Sequence, residues 1–222
     1  MKKSLEAMKK SGLSLAFFAF VSVLFVVSTN ILTKEKIIHN DEQLLLRTIN
    51  EIIPADRYDN DLANTKIIIS RQESGLENDT TVYLAKLNGQ PCSAIFEITT
   101  LRGYGIITLL IGVNTKDQTL AGVRVVRHTE TPGLGDKIEI KKSDWVLSFN
   151  GKSLDNPEPS GWAVKKDGGV FDQFTGATIT PRAIVNTVKS TLFYAQDHIH
   201  ELFTRKLTTV APTLTKEAQN DG

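Results

Sequence analysis

The first pattern along the chain is an uninterrupted apolar stretch close to the N-terminus. Residues 11–33, SGLSLAFFAFVSVLFVVSTNILT, contain no charged side chain, and a helix of that length can span about 30 Å of hydrocarbon. Four basic residues precede the stretch, offset only by Glu6: Lys2, Lys3, Lys9 and Lys10. Because the more positive flank of a membrane helix stays in the cytoplasm, we expect residues 1–10 to be cytoplasmic and 11–33 to be transmembrane. The rest of the chain would lie across the membrane.

A cleaved signal peptide is the alternative interpretation of this stretch. Its apolar core would be shorter and would end in an Ala-x-Ala-like site. The segment 26–30, VVSTN, matches such a site poorly. We therefore favour a retained anchor.

Beyond the anchor, the apolar positions first keep a helical spacing and then form short strand-like runs. Residues 34–60 predict a juxtamembrane helix followed by a loop, and Pro54 limits the extent of that helix. Its apolar stripe consists of Leu44, Leu45, Ile49, Ile52 and Ile53. From Lys66 onward, β-branched and aromatic runs alternate with turn formers such as Asn88-Gly89. The runs are IIIS, TVYLAKL, SAIFEITT, GIITLLIGV and LAGVRVVRH, and they predict a largely antiparallel sheet.

The last third of the chain contains one further short run and one long helical pattern. Residues 162–166, WAVKK, predict a short strand. A helix is predicted over 181–203, with Thr180 as its N-cap and Pro181 at its first position. Its buried stripe would be Ile184, Val188, Leu192, Ala195 and Ile199.

Together these patterns predict an α+β domain over 34–205, in which helices pack against one mainly antiparallel sheet. The remaining residues, 206–222, are polar and lack periodicity, so we expect a flexible tail.

Composition restricts the chemistry of this domain. The chain has 26 Lys and Arg against 25 Asp and Glu, for a net charge of +1, so it carries no electrostatic footprint for nucleic acid. Cys92 is the single cysteine, which excludes an intramolecular disulfide and a cysteine-based metal site. We expect Cys92 to be a half-buried apolar side chain.

Two glycine-rich segments are candidates for close contact with a flat ligand. The segment 129–135, TETPGLG, permits a tight loop whose backbone groups can approach a ring, although alone it is more typical of an ordinary surface turn. Glu130 would orient this loop or face solvent. The segment 103–105, GYG, opens an apolar strand, and Tyr104 would be a half-buried core ring or, alternatively, a stacking surface. His128 precedes the first of these segments and could neighbour the ligand, but we expect it to be exposed at a strand end.

The segment 172–178, DQFTGAT, indicates a ligand site more specifically than the two glycine-rich segments do. It ends at the start of the predicted helix, where outward-pointing N–H groups and the helix dipole favour a phosphate. Gly176 and Ala177 leave the Thr178 hydroxyl accessible, while Asp172 and Thr175 would shape the turn. No histidine lies nearby in the sequence to activate this hydroxyl, so Thr178 would be acted upon by another enzyme.

The ordered combination of GYG, ETPGLG and D-x-x-T-G-A-T resembles the covalently flavinylated FMN-binding domain family. One anchor followed by this domain, at this length, is similar to the G subunits of the Rnf (Rsx) ion-translocating electron transport complexes. The C subunit of the sodium-pumping NADH:quinone reductase shares the domain and is the nearest alternative, although it is usually a longer chain.

The resemblance implies a cofactor and its site. FMN would be joined through its phosphate to Thr178, the last threonine of the S/T-G-A-T motif, by a separate flavin transferase. Thr175 replaces the commoner serine and keeps the hydroxyl. The remaining cofactor contacts would come from the motif and the two glycine segments: Asp172, Thr175, Gly176, Ala177, Glu130, Thr131, Gly133, Leu134 and Tyr104.

The resemblance also implies a setting. The chain would be a bacterial inner-membrane protein with its flavin domain in the periplasm, relaying electrons among Rnf/Rsx subunits A, B, C, D and E. It would be a redox subunit of a translocase and would need no catalytic residue or metal of its own. Two further hypotheses give it no covalent flavin: an anchored ligand-binding module, or an assembly scaffold.

Overall fold

Five strands and three α-helices organise the chain in the computed structural model, which describes residues 2–205. The elements are α1 (Lys2–Ile52), β1 (Lys66–Ile69), α2 (Arg71–Ser74), β2 (Thr80–Leu87), β3 (Gln90–Thr100), β4 (Ile107–Asn114), β5 (Leu120–His128) and α3 (Ile179–Leu202). The predicted tail over 206–222 lies outside the described residues. Contacts divide the chain into two units, 1–44 and 45–222.

The first unit is helical. Helix α1 is 51 residues long and runs without a break past residue 34, because no glycine or proline interrupts the sequence between Gly12 and Pro54. Its segment Gly12–Lys34 has a mean hydropathy of 2.3 and none of it is buried. The large apolar side chains of this segment are exposed, as Leu13 and Phe25 illustrate. The segment is long and apolar enough to cross a membrane once.

The second unit is built on an antiparallel sheet in the strand order β1-β2-β3-β4-β5. All five predicted strands are confirmed. Alternate side chains of each strand point to opposite faces, and both faces are covered. In β3, Phe96 belongs to the larger core, whereas Ile95 packs with Ile49, Ile52 and Ile53 at the end of α1. From Leu45 onward, the predicted juxtamembrane stripe therefore covers one sheet face.

Helix α3 covers the other face. Its predicted apolar stripe is confirmed, because Ile184, Val188, Leu192, Ala195 and Ile199 are all buried in the larger core. The predicted start was wrong by two residues: the helix begins at Ile179 with Thr178 at the N-cap. Pro181 is accordingly the third helical residue, where an N–H would still have no partner within the helix.

The connection between β5 and α3 carries the functional segments and an aromatic cluster. Four short 3₁₀ turns punctuate it, at Asp136–Ile138, Asp144–Phe149, Pro159–Gly161 and Lys165–Asp167. Five buried rings hold it against the sheet: Trp145, Phe149, Trp162, Phe171 and Phe174.

The short strand predicted over 162–166 was wrong. Val164 makes one parallel bridge to Phe171, and the chain then turns at once into the 3₁₀ turn Lys165–Asp167. Gly168, with a φ of 88°, ends that turn. A run of five residues that reverses direction after its third cannot form a ladder.

Candidate functional site

Three segments that are distant in sequence meet around the side chain of Glu130. They are the 103–105 loop between β3 and β4, the 129–135 loop after β5, and the beginning of α3. Glu130 is only 4% exposed. Its Oε1 accepts a hydrogen bond from the Gly105 N–H at 2.9 Å, and its Oε2 accepts one from the Thr180 hydroxyl at 2.5 Å. Of the two roles considered for Glu130, orientation of the loop is therefore confirmed and exposure to solvent was wrong.

The glycines around Glu130 are required by this packing. A Cβ on Gly103 would lie 2.6 Å from Glu130 Oε1, and one on Gly135 would lie 3.0 Å from Glu130 Cβ and 3.1 Å from Thr180 Oγ1. A Cβ on Gly105 would lie 2.8 Å from the carbonyl carbon of Thr129. Any side chain at these three positions would separate the segments that Glu130 joins.

The 129–135 loop is a tight turn closed by its own backbone. The Thr131 carbonyl accepts hydrogen bonds from the N–H groups of Leu134 at 3.2 Å and Gly135 at 3.1 Å. Gly133 has a φ of 79°, and its N–H donates to Oδ1 of the buried Asp136 at 2.9 Å. The loop is therefore a preformed element held at both ends.

A cavity of about 270 Å³ opens where these segments meet. Its lining residues are Tyr104, Glu130, Thr131, Leu134, Gly135, Gly176 and Ala177. All of these except Gly135 were predicted as cofactor contacts from the sequence, and the structure brings them together although Tyr104 and Ala177 are 73 positions apart. Gly133, which was also predicted as a contact, belongs to the same loop but does not line the cavity.

Thr178 lies at the edge of this arrangement, adjacent in the chain to the two cavity-lining residues Gly176 and Ala177. It is half-buried and makes no side-chain hydrogen bond as the N-cap of α3. The N–H groups of Ile179 and Thr180 make no hydrogen bond with the residues that the structure describes. The Thr178 hydroxyl and the N–H of the exposed Ile179 are therefore both available to a bound phosphate.

Asp172 and Thr175 do not line the cavity. The Asp172 carboxylate accepts a hydrogen bond from Lys165 Nζ at 2.6 Å, and its carbonyl accepts one from the buried Trp145 indole at 2.8 Å. Thr175 is exposed. Asp172 thus anchors the approach to Thr178 through its backbone, and no side-chain hydrogen bond from either residue within the turn is present among the described residues.

Tyr104 is 70% exposed, so the expectation of a core ring was wrong. The short 103–105 loop carries its ring outward because both flanking glycines pack against the 129–135 loop. Leu134 is 43% exposed, which places an aromatic and an aliphatic surface at the mouth of the cavity. Such surfaces suit a flat aromatic ligand.

Besides the cavity-lining Gly135, the roles of two residues of the site were missed from the sequence. Thr180 was expected to cap the helix, but its hydroxyl is fully buried and bonds to Glu130. His128 was expected to be exposed, yet it is half-buried, with Nδ1 accepting the Glu130 N–H at 3.1 Å and Nε2 lying 2.8 Å from Glu139 Oε1. Because Nδ1 accepts, the ring proton lies on Nε2. Neither contact has a local sequence signal.

The site offers the kinds of groups that bind FMN. The cavity offers backbone groups and apolar surface for a ring, and the adjacent helix start offers N–H groups for a phosphate. Among residues 2–205, no group of His, Cys, Asp or Glu residues could hold a metal ion. Glu130 is the one charged side chain among those lining the cavity.

Comparisons with known proteins agree with this geometry. The family model of the FMN-binding domain matches residues 103–192, and the model of the RnfG N-terminal region matches residues 1–52. The chain is 44% identical to the G subunit of the ion-translocating oxidoreductase complex of Vibrio atlanticus, over 91% of this chain and 97% of that protein. It is 43% identical to the protein of the same name in Pseudoalteromonas atlantica, over 89% of this chain and 93% of that protein.

Among solved structures, NqrC of Shewanella oneidensis overlaps with 66% of this chain and 76% of its own, at 22% identity and a TM-score of 0.45. The full-length matches to the two bacterial G subunits, together with the two family models, decide the assignment. The chain belongs to the family of G subunits of ion-translocating oxidoreductase complexes and contains the FMN-binding domain of that family.

Proposed function

We propose that this chain carries FMN covalently, through a phosphoester to Thr178, and relays electrons between the subunits of an ion-translocating membrane complex. One observation supports the attachment site. The half-buried hydroxyl of Thr178, which makes no side-chain hydrogen bond as the N-cap, lies at the N-terminus of the 24-residue helix α3, next to a cavity whose mouth suits a flat ligand. Bound FMN would supply the redox chemistry, since the protein contributes binding and electrostatics.

The helix start favours the phosphate. A phosphodiester retains one negative charge, and placing that charge at a helix N-terminus stabilises it by roughly 0.3–1 kcal/mol. The N–H of the exposed Ile179 adds a hydrogen-bond donor. Thr131, Leu134 and Tyr104 would orient the ring and exclude water from one side of it, while Glu130 holds the loops that carry them.

Attachment requires another enzyme. No histidine, lysine or carboxylate is hydrogen-bonded to the Thr178 hydroxyl among the described residues, so none of these residues is placed to activate it as a base. We therefore infer that a separate flavin transferase modifies Thr178, as the resemblance implied.

The proposed setting follows from the anchor and from the family. The segment Gly12–Lys34 would cross the bacterial inner membrane once, with the N-terminus in the cytoplasm and the flavin domain in the periplasm. The partners would be Rnf/Rsx subunits A, B, C, D and E. Alkaline phosphatase fused after Arg205 tests the orientation: an active fusion supports a periplasmic domain, and an inactive but stable fusion contradicts it.

In-gel fluorescence tests the attachment. The full chain is produced with and without an active flavin transferase, denatured in detergent and illuminated in the ultraviolet. We expect a fluorescent band that depends on the transferase, survives denaturation and is absent in Thr178→Val. Thr175→Val is the matched control, because it removes the neighbouring hydroxyl of the same motif and should leave the band intact.

The opposite results would contradict the proposal. A dark wild-type band, with the transferase active on another acceptor, would favour a ligand-binding module or a scaffold without covalent flavin. A fluorescent Thr178→Val band would move the attachment to another residue.

A further inference from the structure

Among the buried threonine hydroxyls of α3, that of Thr180 is the one that bonds to a residue lining the cavity. Thr187 and Thr191 each donate to the carbonyl four residues earlier in the same helix, at 3.0 Å and 2.8 Å. Thr180 instead donates to Glu130 Oε2 at 2.5 Å, fifty positions away in the sequence. Both residues of this pair are buried, with exposures of 0% and 4%.

This contact ties the first turn of α3 to the loop that forms the opposite wall of the cavity. Thr180 is the second residue of the helix, two positions after Thr178. Hydrogen bonds to a carboxylate are stronger than neutral ones, and burial increases the cost of losing one. The first turn of a helix is otherwise its least constrained part, because its N–H groups have no partner within the helix.

We propose that Thr180 is a positioning residue for the modification of Thr178. By bonding to Glu130, it fixes the first turn of α3 against the 129–135 loop and so keeps the Thr178 hydroxyl at the cavity edge, where the cofactor phosphate must be delivered. Glu130 itself stays in place without this bond, because its other oxygen is held by the Gly105 N–H at 2.9 Å. Loss of the bond therefore releases the helix start. This inference rests on the proposed attachment of FMN to Thr178.

The test measures the rate of covalent flavin attachment to the full-length chain, with purified transferase and its flavin donor. Thr180→Val keeps the shape of the side chain and removes the hydroxyl that donates to Glu130. It should slow attachment roughly tenfold, because a buried carboxylate oxygen then loses its hydrogen bond to the helix start. Thr180→Ser restores the donor and should return the rate to near the wild-type value.

Thr187→Val is the matched control. It removes a buried hydroxyl from the same helix that also bonds to Glu77 at 3.1 Å, away from the cavity. We expect it to lower the thermal unfolding temperature about as much as Thr180→Val does, with an unchanged attachment rate. Equal attachment rates for Thr180→Val and the wild type, or equal slowing by Thr187→Val, would overturn the positioning role.

A second variant tests the proposal if Thr180→Val does not fold. Glu130→Gln leaves one acceptor oxygen, which the Gly105 N–H occupies, so the amide nitrogen faces the Thr180 hydroxyl and the bond to Thr180 becomes neutral and reversed in direction. Attachment should be slower than in the wild type; an unchanged rate would overturn the proposal. Failure of the underlying function has its own signature, which is a wild-type chain that takes up no covalent flavin at Thr178.

Discussion

The backbone N–H of Gly105 lies 2.9 Å from Oε1 of Glu130, which follows it by 25 positions in the sequence. This bond fastens the loop between β3 and β4 to the loop after β5. Tyr104 is therefore held at the cavity mouth although its own ring is mostly exposed. One buried carboxylate thus determines where three cavity-forming segments lie.

Gly135→Ala should destabilise the domain by about 1–3 kcal/mol, because the added Cβ would overlap with Glu130 and Thr180. Thermal or chemical unfolding of the full chain in detergent measures the change. Thr131→Ala is the matched control in the same loop, since its side chain is exposed and the change should stay within about 0.5 kcal/mol. Equal stabilities of the two variants would contradict the packing described for Gly135.

Glu130→Gln should raise the midpoint potential of bound FMN. No cation lines the cavity among the described residues, so the Glu130 charge disfavours an added electron, and its removal is worth on the order of 1 kcal/mol. That corresponds to a few tens of millivolts for one electron.

A spectroelectrochemical titration of the loaded protein measures this potential. Asp136→Asn is the control, because Asp136 is a buried carboxylate directly after the 129–135 loop that does not line the cavity and has Lys142 Nζ 3.8 Å away. A lower or unchanged potential in Glu130→Gln would show that the charge does not act on the flavin.

Cys92 should react slowly with alkylating reagents. Its Sγ lies 3.1 Å from the Ala85 carbonyl and 3.3 Å from that of Arg57, and burial raises the pKa of the thiol. A raised pKa leaves less thiolate at pH 7–8, so the alkylation rate of the native chain should be roughly tenfold or more below that of the denatured chain. The native rate should also continue to increase up to a higher pH than the rate of a free thiol does. Iodoacetamide labelling followed by mass spectrometry measures both rates. Equal rates would mean that the thiol is accessible.

Local patterns carried the prediction of the sheet and of α3. Apolar residues at every second position, in runs separated by turn formers, are the pattern of an antiparallel meander. The apolar stripe from Ile184 to Ile199 is the pattern of a helix that covers such a sheet. The position of Thr178 at a helix N-terminus followed from the same stripe. These features depend on residues close together in the sequence.

The features that the sequence did not predict depend on contacts between distant segments. Threonine is a residue type typical of an N-cap, which is the role the sequence predicted for Thr180. Its hydroxyl bonds instead to Glu130, which is fifty positions away in the sequence. The exposure of Tyr104 likewise follows from glycines that pack against another loop. Such contacts leave no periodic signal, so the direction of these side chains required the structure.

The most direct test of the account is to locate the flavin on the chain. The protein is isolated after production with an active transferase, digested with a protease, and the flavin-bearing peptide is sequenced by mass spectrometry. We expect one peptide that contains the 172–178 segment and carries on Thr178 an added mass equal to FMN less one water. An addition on Thr175 or elsewhere, or an unmodified Thr178 in protein that has met an active transferase, would contradict it.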